Sequence, residues 1–218
     1  LTLGRVRCQI SVSLDGYAAG PNQGEEHPLG EGGEGLYEWV IKLSSWRQSH
    51  GREGGEGAEN PSNAVMAEST ANLAAVVMGR NMFGPVRGPW GDSDWKGWWG
   101  DEPPFHAPVF VLTHHQREPL KMEGGTTFHF VTDGVESAIR QAKEAAGDGD
   151  VSVGGGAATI QQCIAAGLLD ELLVHQVPIL LGGGERLFDH LAPGVAGFEL
   201  VGLVKGREAA HLTYRVTS

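Results

Sequence analysis

Apolar runs alternating with amphipathic segments predict an α/β fold of three layers, with helices on both faces of a mixed, mostly parallel sheet and an antiparallel C-terminal hairpin. Three observations carry this. "AAVVMG" (74–79) and "APVFVL" (107–112) are apolar throughout, as strands buried on both faces should be. "GVESAIRQAKEAA" (134–146) has the apolar spacing of a helix lying on such a sheet. "FELVGLVKGREAAHLTYRV" (198–216) has two strand-like runs around the polar turn "KGREAA", which reads as a closing hairpin.

The elements follow in order. "RVRCQISVSLDGY" (5–17) reads as a strand ending in an Asp15-Gly16 turn. The Gly-, Pro- and Glu-rich residues 20–35 should be loop. "LYEWVIKLSSW" (36–46) places Leu36, Trp39, Val40 and Leu43 at helical spacing and predicts a short amphipathic helix. Residues 47–63 are polar and glycine-dense, a flexible surface excursion within one domain spanning 1–218. Ser62 or Asn63 then caps a helix over 64–73, with Glu68 facing solvent. After the strand at 74–79, residues 84–104 form a long loop holding four of the six tryptophans, Trp90, Trp95, Trp98 and Trp99. Further strands are expected at "APVFVLTHH" and "TTFHFV" (126–131), and the helix at 134–146 follows. "DVSVG" then leads through three glycines into the helix "AATIQQCIAAG" (157–167), and "LLDELLVHQVPILLG" (168–182) reads as a strand interrupted at Pro178. No internal repeat is present.

A formal net charge of −11 argues against nucleic acid and anionic membranes as main partners. No apolar run approaches the ~20 residues of a membrane span. The N-terminal stretch has no signal-peptide pattern, so a cytoplasmic location is expected. The two cysteines, Cys8 and Cys163, lie in apolar surroundings and read as small buried hydrophobes rather than a disulfide framework.

Three strand ends carry chemistry. "VVMGRNMF" puts Gly79-Arg80 where a strand meets a short helix. "VFVLTHH" ends in Thr113, His114 and His115, with Arg117 just beyond. "VSVGGGAAT" sets Gly154, Gly155 and Gly156 before a helix. In an open α/β sheet, ligands bind beyond the carboxyl ends of the strands. Three glycines there either make a tight turn or bare the backbone for a phosphate at a helix N-terminus.

In this order, "SVSLDG", "VVMGRNMF", "VFVLTHH", "VSVGGGAATIQQ", "GLLDELLVHQVPILLGGGERLF" and "HLTYRV" resemble the dihydrofolate reductase-like family. The closest branch is the reductase domain of the riboflavin-biosynthesis deaminase-reductase. The resemblance implies an NADPH cleft, hydride transfer to a nitrogen heterocycle and a homodimer. It places cofactor contacts on Gly79, Arg80, Thr113 and His114, and the pyrophosphate turn on Gly154, Gly155, Gly156, Ala157 and Ala158. The glutamate that riboflavin-pathway reductases carry before the paired glycines is Gly154 here, and no zinc-deaminase segment is present.

Asp15 would stand beside the nicotinamide and deliver or polarise a proton to the substrate; the alternative is that it simply begins a turn with Gly16. Glu38 is the candidate for an acidic residue engaging the heterocycle, and Trp90 the candidate for a cleft wall. The Trp-rich loop reads either as a lid stacking on a flat ring or as packing. On an extended strand the neighbouring His114 and His115 point to opposite faces, so they are not expected to form a metal site, and none is expected elsewhere. Arg80, Thr113 and His114 favour NADPH over NADH, because they offer partners for a 2′-phosphate. Two functions follow: an NADPH-dependent reductase of a pterin-, pyrimidine- or flavin-like ring, with 5-amino-6-(5-phosphoribosylamino)uracil reduction as the family default, or a non-catalytic nucleotide-binding protein on the same scaffold.

Overall fold

The apolar runs assemble into one sheet in the computed structural model, which describes residues 4–85, 87–91 and 94–217. Among these residues the sheet has nine strands in the order β10-β11-β8-β1-β7-β3-β4-β6-β5. Its centre is β8 (Glu171–Val177), β1 (Val6–Ser13), β7 (Asp150–Gly155), β3 (Leu73–Gly79), β4 (Pro108–Leu112) and β6 (Thr127–Val131), with each neighbouring pair parallel. The hairpin β10 (Gly197–Lys205) and β11 (Ala210–Thr217) adds antiparallel strands beside β8. The two-residue β5 (Leu120–Lys121) pairs antiparallel with β6 at the other edge. A separate ladder joins β2 (Tyr17–Ala19) to β9 (Glu185–Arg186). These three short strands have too few residues to show a period in the sequence.

Alternation along each strand divides the hydrophobic residues between the two faces. On one face Cys8, Ile10, Val12, Ala75, Val77, Val151 and Val153 form a core with α4 (Val135–Ala146) and α5 (Ala157–Ala165). Both cysteines lie in it, and burial pushes the Cys163 thiol up to about 12. The other face carries two separate clusters. One, under β3, β4 and β6, gathers Val76, Met78, Val109, Val111 and Phe128 with Phe83 and Trp90. The second, beside β8 and β11, gathers Leu36, Trp39, Val40, Leu43, Val177 and Ala209. Between them β1 and β7 present Gln9, Ser11, Ser152 and Gly154, and this strip is not covered by a helix but lines an open cleft. The helix layer on that face is thin, consisting of α1 (Ser44–Ser49), α2 (Pro61–Thr70) and α3 (Arg80–Phe83).

The helix expected over 36–46 is not there. Gly33–Leu36 is a 3-10 turn, residues 37–42 continue as turns, and α1 begins only at Ser44. The apolar positions are nonetheless buried together, because the indole N–H of Trp39 donates to the Leu36 carbonyl and to Ser11 Oγ (3.0 and 3.2 Å). The pattern identified the buried side but not the backbone. The next helix starts earlier than expected: Asn60, not Ser62 or Asn63, is the cap, accepting from the Ser62 N–H, and Pro61 occupies the first turn. Residues 47–63 fold back on α1, with Ser44 N donating to Glu56 O and Glu56 N to Lys42 O. No helix among the described residues is long and apolar enough to cross a membrane.

Candidate functional site

The carboxyl ends of β3, β4 and β7 open into a cleft of about 1190 Å³. This exceeds the usual span of single-ligand pockets, up to ~1,000 Å³. Gly79, Arg80, Thr113, His114, Gly154, Gly156, Ala157 and Ala158 line it, so the structure brings together eight positions drawn from three distant stretches of chain. Gly155 lies behind this surface at φ +106°, a conformation that favours glycine.

Two of these glycines are needed for different reasons. A Cβ on Gly79 would run into Thr159 Oγ1 on α5, so the bare backbone lets β3 and α5 meet closely. At Gly155 a Cβ would find only ordinary contacts with Ile10 and Ile160 at 3.8 Å, and the positive φ is what excludes a side chain. The turn ends at Gly156, from which α5 begins, leaving the first amide N–H groups of that helix without intrahelical acceptors and facing the cleft.

Across from this turn is Arg80, the first residue of α3. Its Nε and both terminal nitrogens are buried and have no hydrogen-bond partner among the described residues. The guanidinium stacks on Trp90, 3.0 Å from the ring centroid, while Arg117 lies 4.8 Å from the same ring. Burial, and then the charge on Arg117, pull the Arg80 pKa down to about 10, so it remains a cation at neutral pH. A charged group is not held in this way without cost. The result is a charged rim with no hydrogen-bonded anion among the described residues. Thr113 extends it: its N–H donates to Val131 O, its Oγ1 accepts from His115 N at 3.2 Å, and the exposed His114 stands beside it. Both histidines lie beyond β4, so strand alternation does not separate them, and both line the cleft.

Three expectations need correction. Trp90 does not form a cleft wall; it is buried in the cluster with Phe83, Phe128 and Phe130, and its indole N–H donates to His115 O (2.8 Å). It is the plate on which Arg80 rests, a role that a sequence cannot show because the two residues meet only through tertiary packing. Glu38 is exposed and does not line the cleft; a helix with Leu36, Trp39, Val40 and Leu43 inward would also have put it on the opposite side. Asp15 is tied into a loop. Its carboxylate accepts from Ser13 Oγ (2.6 Å), Gly182 N (2.8 Å) and Leu181 N (3.2 Å), and Arg186 donates to its carbonyl. The Ser13 hydroxyl above all, with the two amides, lowers its pKa to about 2, so it holds no proton to give at neutral pH. It fastens the β8–β9 connection to the end of β1.

Sequence reasoning also missed residues. Glu185, on β9, lines the cleft with its carboxylate beside Gly156. Gln9, on the strip between the two apolar clusters, and His175, on β8 against Trp39, also line the cleft; a polar residue in a strand otherwise buried was the available signal. Among the described residues no three His, Cys, Asp or Glu side chains converge as a metal site.

Residues 5–212 match the family model described as the RibD C-terminal domain. No curated protein matches the chain significantly. A solved structure of a candidate riboflavin biosynthesis protein from Shewanella sp. PV-4 is 24% identical over 98% of this chain and 99% of that one, with a TM-score of 0.61. The diaminohydroxyphosphoribosylaminopyrimidine deaminase/5-amino-6-(5-phosphoribosylamino)uracil reductase of Thermotoga maritima is 15% identical, with a TM-score of 0.58; the match covers 97% of this chain but 56% of that larger protein. A dihydrofolate reductase from Enterococcus faecalis, complexed with NADP(H), is 15% identical over 100% of this chain and 99% of that one, with a TM-score of 0.52. These likenesses are of fold.

Proposed function

Because the chain belongs to the RibD C-terminal domain family, we propose that it is an NADPH-dependent reductase of a pterin-, pyrimidine- or flavin-like heterocycle. The observation that carries this is the buried guanidinium of Arg80, without a hydrogen-bond partner among the described residues, opposite the Gly154–Gly156 turn. A dinucleotide with an extra ribose phosphate supplies anions to both. In this reading Arg80, Thr113 and His114 hold the 2′-phosphate. The amides at Gly156, Ala157 and Ala158 hold the diphosphate at the N-terminus of α5. When bound, the cofactor supplies a hydride from its nicotinamide. The chain's own contribution is to place the two rings in contact over the β1–β7 strip and to exclude water from that contact. With Asp15 fully engaged in the loop, the proton that completes reduction comes from water.

Calorimetry with NADPH and NADH tests the cofactor assignment, and equal affinities would remove the 2′-phosphate site. Consumption of NADPH with 5-amino-6-(5-phosphoribosylamino)uracil or dihydrofolate tests turnover. The second reading, a nucleotide-binding protein without turnover, is favoured by the engaged Asp15; tight NADPH binding with no oxidation by any such heterocycle would select it.

The protein further acts as a homodimer in this proposal. The outer strand β10 exposes Phe198, Leu200, Val201 and Leu203, with Phe188 beside them, an apolar sheet edge of the kind that proteins normally cover. A second copy would cover it, and light scattering that returned a monomer mass over a wide concentration range would end the idea.

A further inference from the structure

Among the described residues, two buried polar atoms on the strands of the cleft floor have no hydrogen-bond partner: Gln9 Oε1 on β1 and His175 Nε2 on β8. Ser11 is in register with His175, so Gln9, two residues earlier, shares its face of the sheet. His175 is 3% exposed, and its other ring nitrogen is used internally. His175 Nδ1 and His211 Nδ1 are 2.8 Å apart, and His211 Nε2 is 2.8 Å from Ser62 Oγ at the start of α2. Trp39 packs against both imidazoles at 4.7 and 5.0 Å.

This chain of contacts has a direction. Burial in the first place pushes both histidines down, His175 to about 3 with help from His211, and His211 to about 4, so both rings are neutral at pH 7. One Nδ1 must then donate and the other accept. Among the described residues His211 Nε2 is the one hydrogen-bond partner of the Ser62 hydroxyl. If Ser62 accepted there, its own hydrogen would be buried without an acceptor, which is costly. Ser62 therefore donates to His211 Nε2, His211 carries its proton on Nδ1 and donates to His175 Nδ1, and His175 is left with its proton on Nε2.

We propose that His175 is a substrate-facing donor: its Nε2–H pairs with a carbonyl oxygen or ring nitrogen of the bound heterocycle, Gln9 Oε1 accepts a ring N–H of the same molecule, and His211 with Ser62 fixes the tautomer. The proposal rests on the reductase reading only for calling that molecule a substrate. A neutral imidazole N–H next to the reduced bond would also stabilise the negative charge that grows on the acceptor as hydride reaches the adjacent carbon. The proton stays on His175 throughout.

Nitrogen-15 NMR of histidine-labelled protein reads the tautomers directly. The expected result is His175 protonated at Nε2 and His211 at Nδ1; the opposite assignment overturns the proposal. Uracil, which has carbonyl acceptors beside N–H donors, is the probe for the second measurement. Added to the NADP⁺-saturated protein and to the free protein, it should shift the His175 Nε2 resonance. His175→Phe should weaken uracil about ten- to a hundredfold with NADPH affinity unchanged, and His175→Gln, which keeps a donor, should recover part of the loss. Equal uracil affinity in wild type and His175→Phe, or an unmoved His175 resonance, overturns the proposal. If NADPH fails to bind while uracil still shifts His175, the reductase reading falls and the donor stands.

Discussion

Arg80 and Asp15 are both charged residues just past the carboxyl end of a central strand, yet the structure treats them in opposite ways. The Asp15 carboxylate accepts three hydrogen bonds from its own chain. Among the described residues the buried nitrogens of Arg80 have none, and the guanidinium lies over the Trp90 ring. Folding alone satisfies the first and leaves the second without an acceptor among the described residues. On the proposed reading, what separates a loop fastener from a ligand group is the state of its hydrogen bonds, not its residue type or its place on the strand rim.

The largest effect should come from the turn facing Arg80. Gly155→Val forces a β-branched side chain into φ +106°, and NADPH binding by calorimetry should fall more than about a hundredfold, with some loss of stability. Binding that survives would return the three glycines to a purely structural turn. Arg80→Ala should cost roughly ten- to a hundredfold in NADPH affinity and much less in NADH affinity. Because the guanidinium has no hydrogen bond to lose among the described residues and gives up only its stacking on Trp90, the melting temperature should fall by no more than about 2 °C; a larger fall would mean that Arg80 is a fastener like Asp15.

Asp15→Asn should do the reverse, leaving NADPH affinity nearly intact and lowering the melting temperature by roughly 2–4 °C for a chain of this size. The pH dependence sharpens the point. The folded Asp15 pKa is about 2 against an ordinary 3.8, so its contribution is complete above pH 3.8 and is lost as pH falls through 2. The Asn variant should therefore converge on wild type only in strong acid. The His175–His211 pair acts earlier. With folded values of about 3 and 4 against 6.5, the unfolded chain takes up protons first, so stability is complete above pH 6.5 and declines as pH falls toward 4. Denaturant midpoints measured from pH 7 to pH 4 should show that decline, and replacing both histidines with phenylalanine should flatten it. The smallest effect belongs to Glu185, whose charge lies beside the proposed diphosphate turn. Glu185→Gln should tighten NADPH only a few-fold, and less at high salt.

The sequence was most legible where one element decides its own form. Continuous apolar strands, the amphipathic 135–146 helix and the terminal hairpin all fall where their periods put them. The rim residues Gly79, Arg80, Thr113 and Gly154–Gly156 converge because parallel strands put their carboxyl ends on one side. Legibility ended where a form depends on a partner far along the chain. Trp39 bonds to Ser11 and so replaces a helix with turns; Ser13, Leu181 and Gly182 convert Asp15 from acid to anchor; and the imidazole pair is built from residues 36 positions apart.

The cleft lies between two hydrophobic clusters that share no residue, one beneath the Arg80 rim and one around Trp39. Selection can therefore act on them as separate modules. Drift among Leu36, Trp39, Val40 and Leu43 reshapes the wall near His175 without disturbing the packing under Arg80 and Trp90. On the proposed reading, a lineage could change which ring it accepts while keeping the Arg80 site, and divergence among descendants should then concentrate in residues 36–50 before it reaches 76–83.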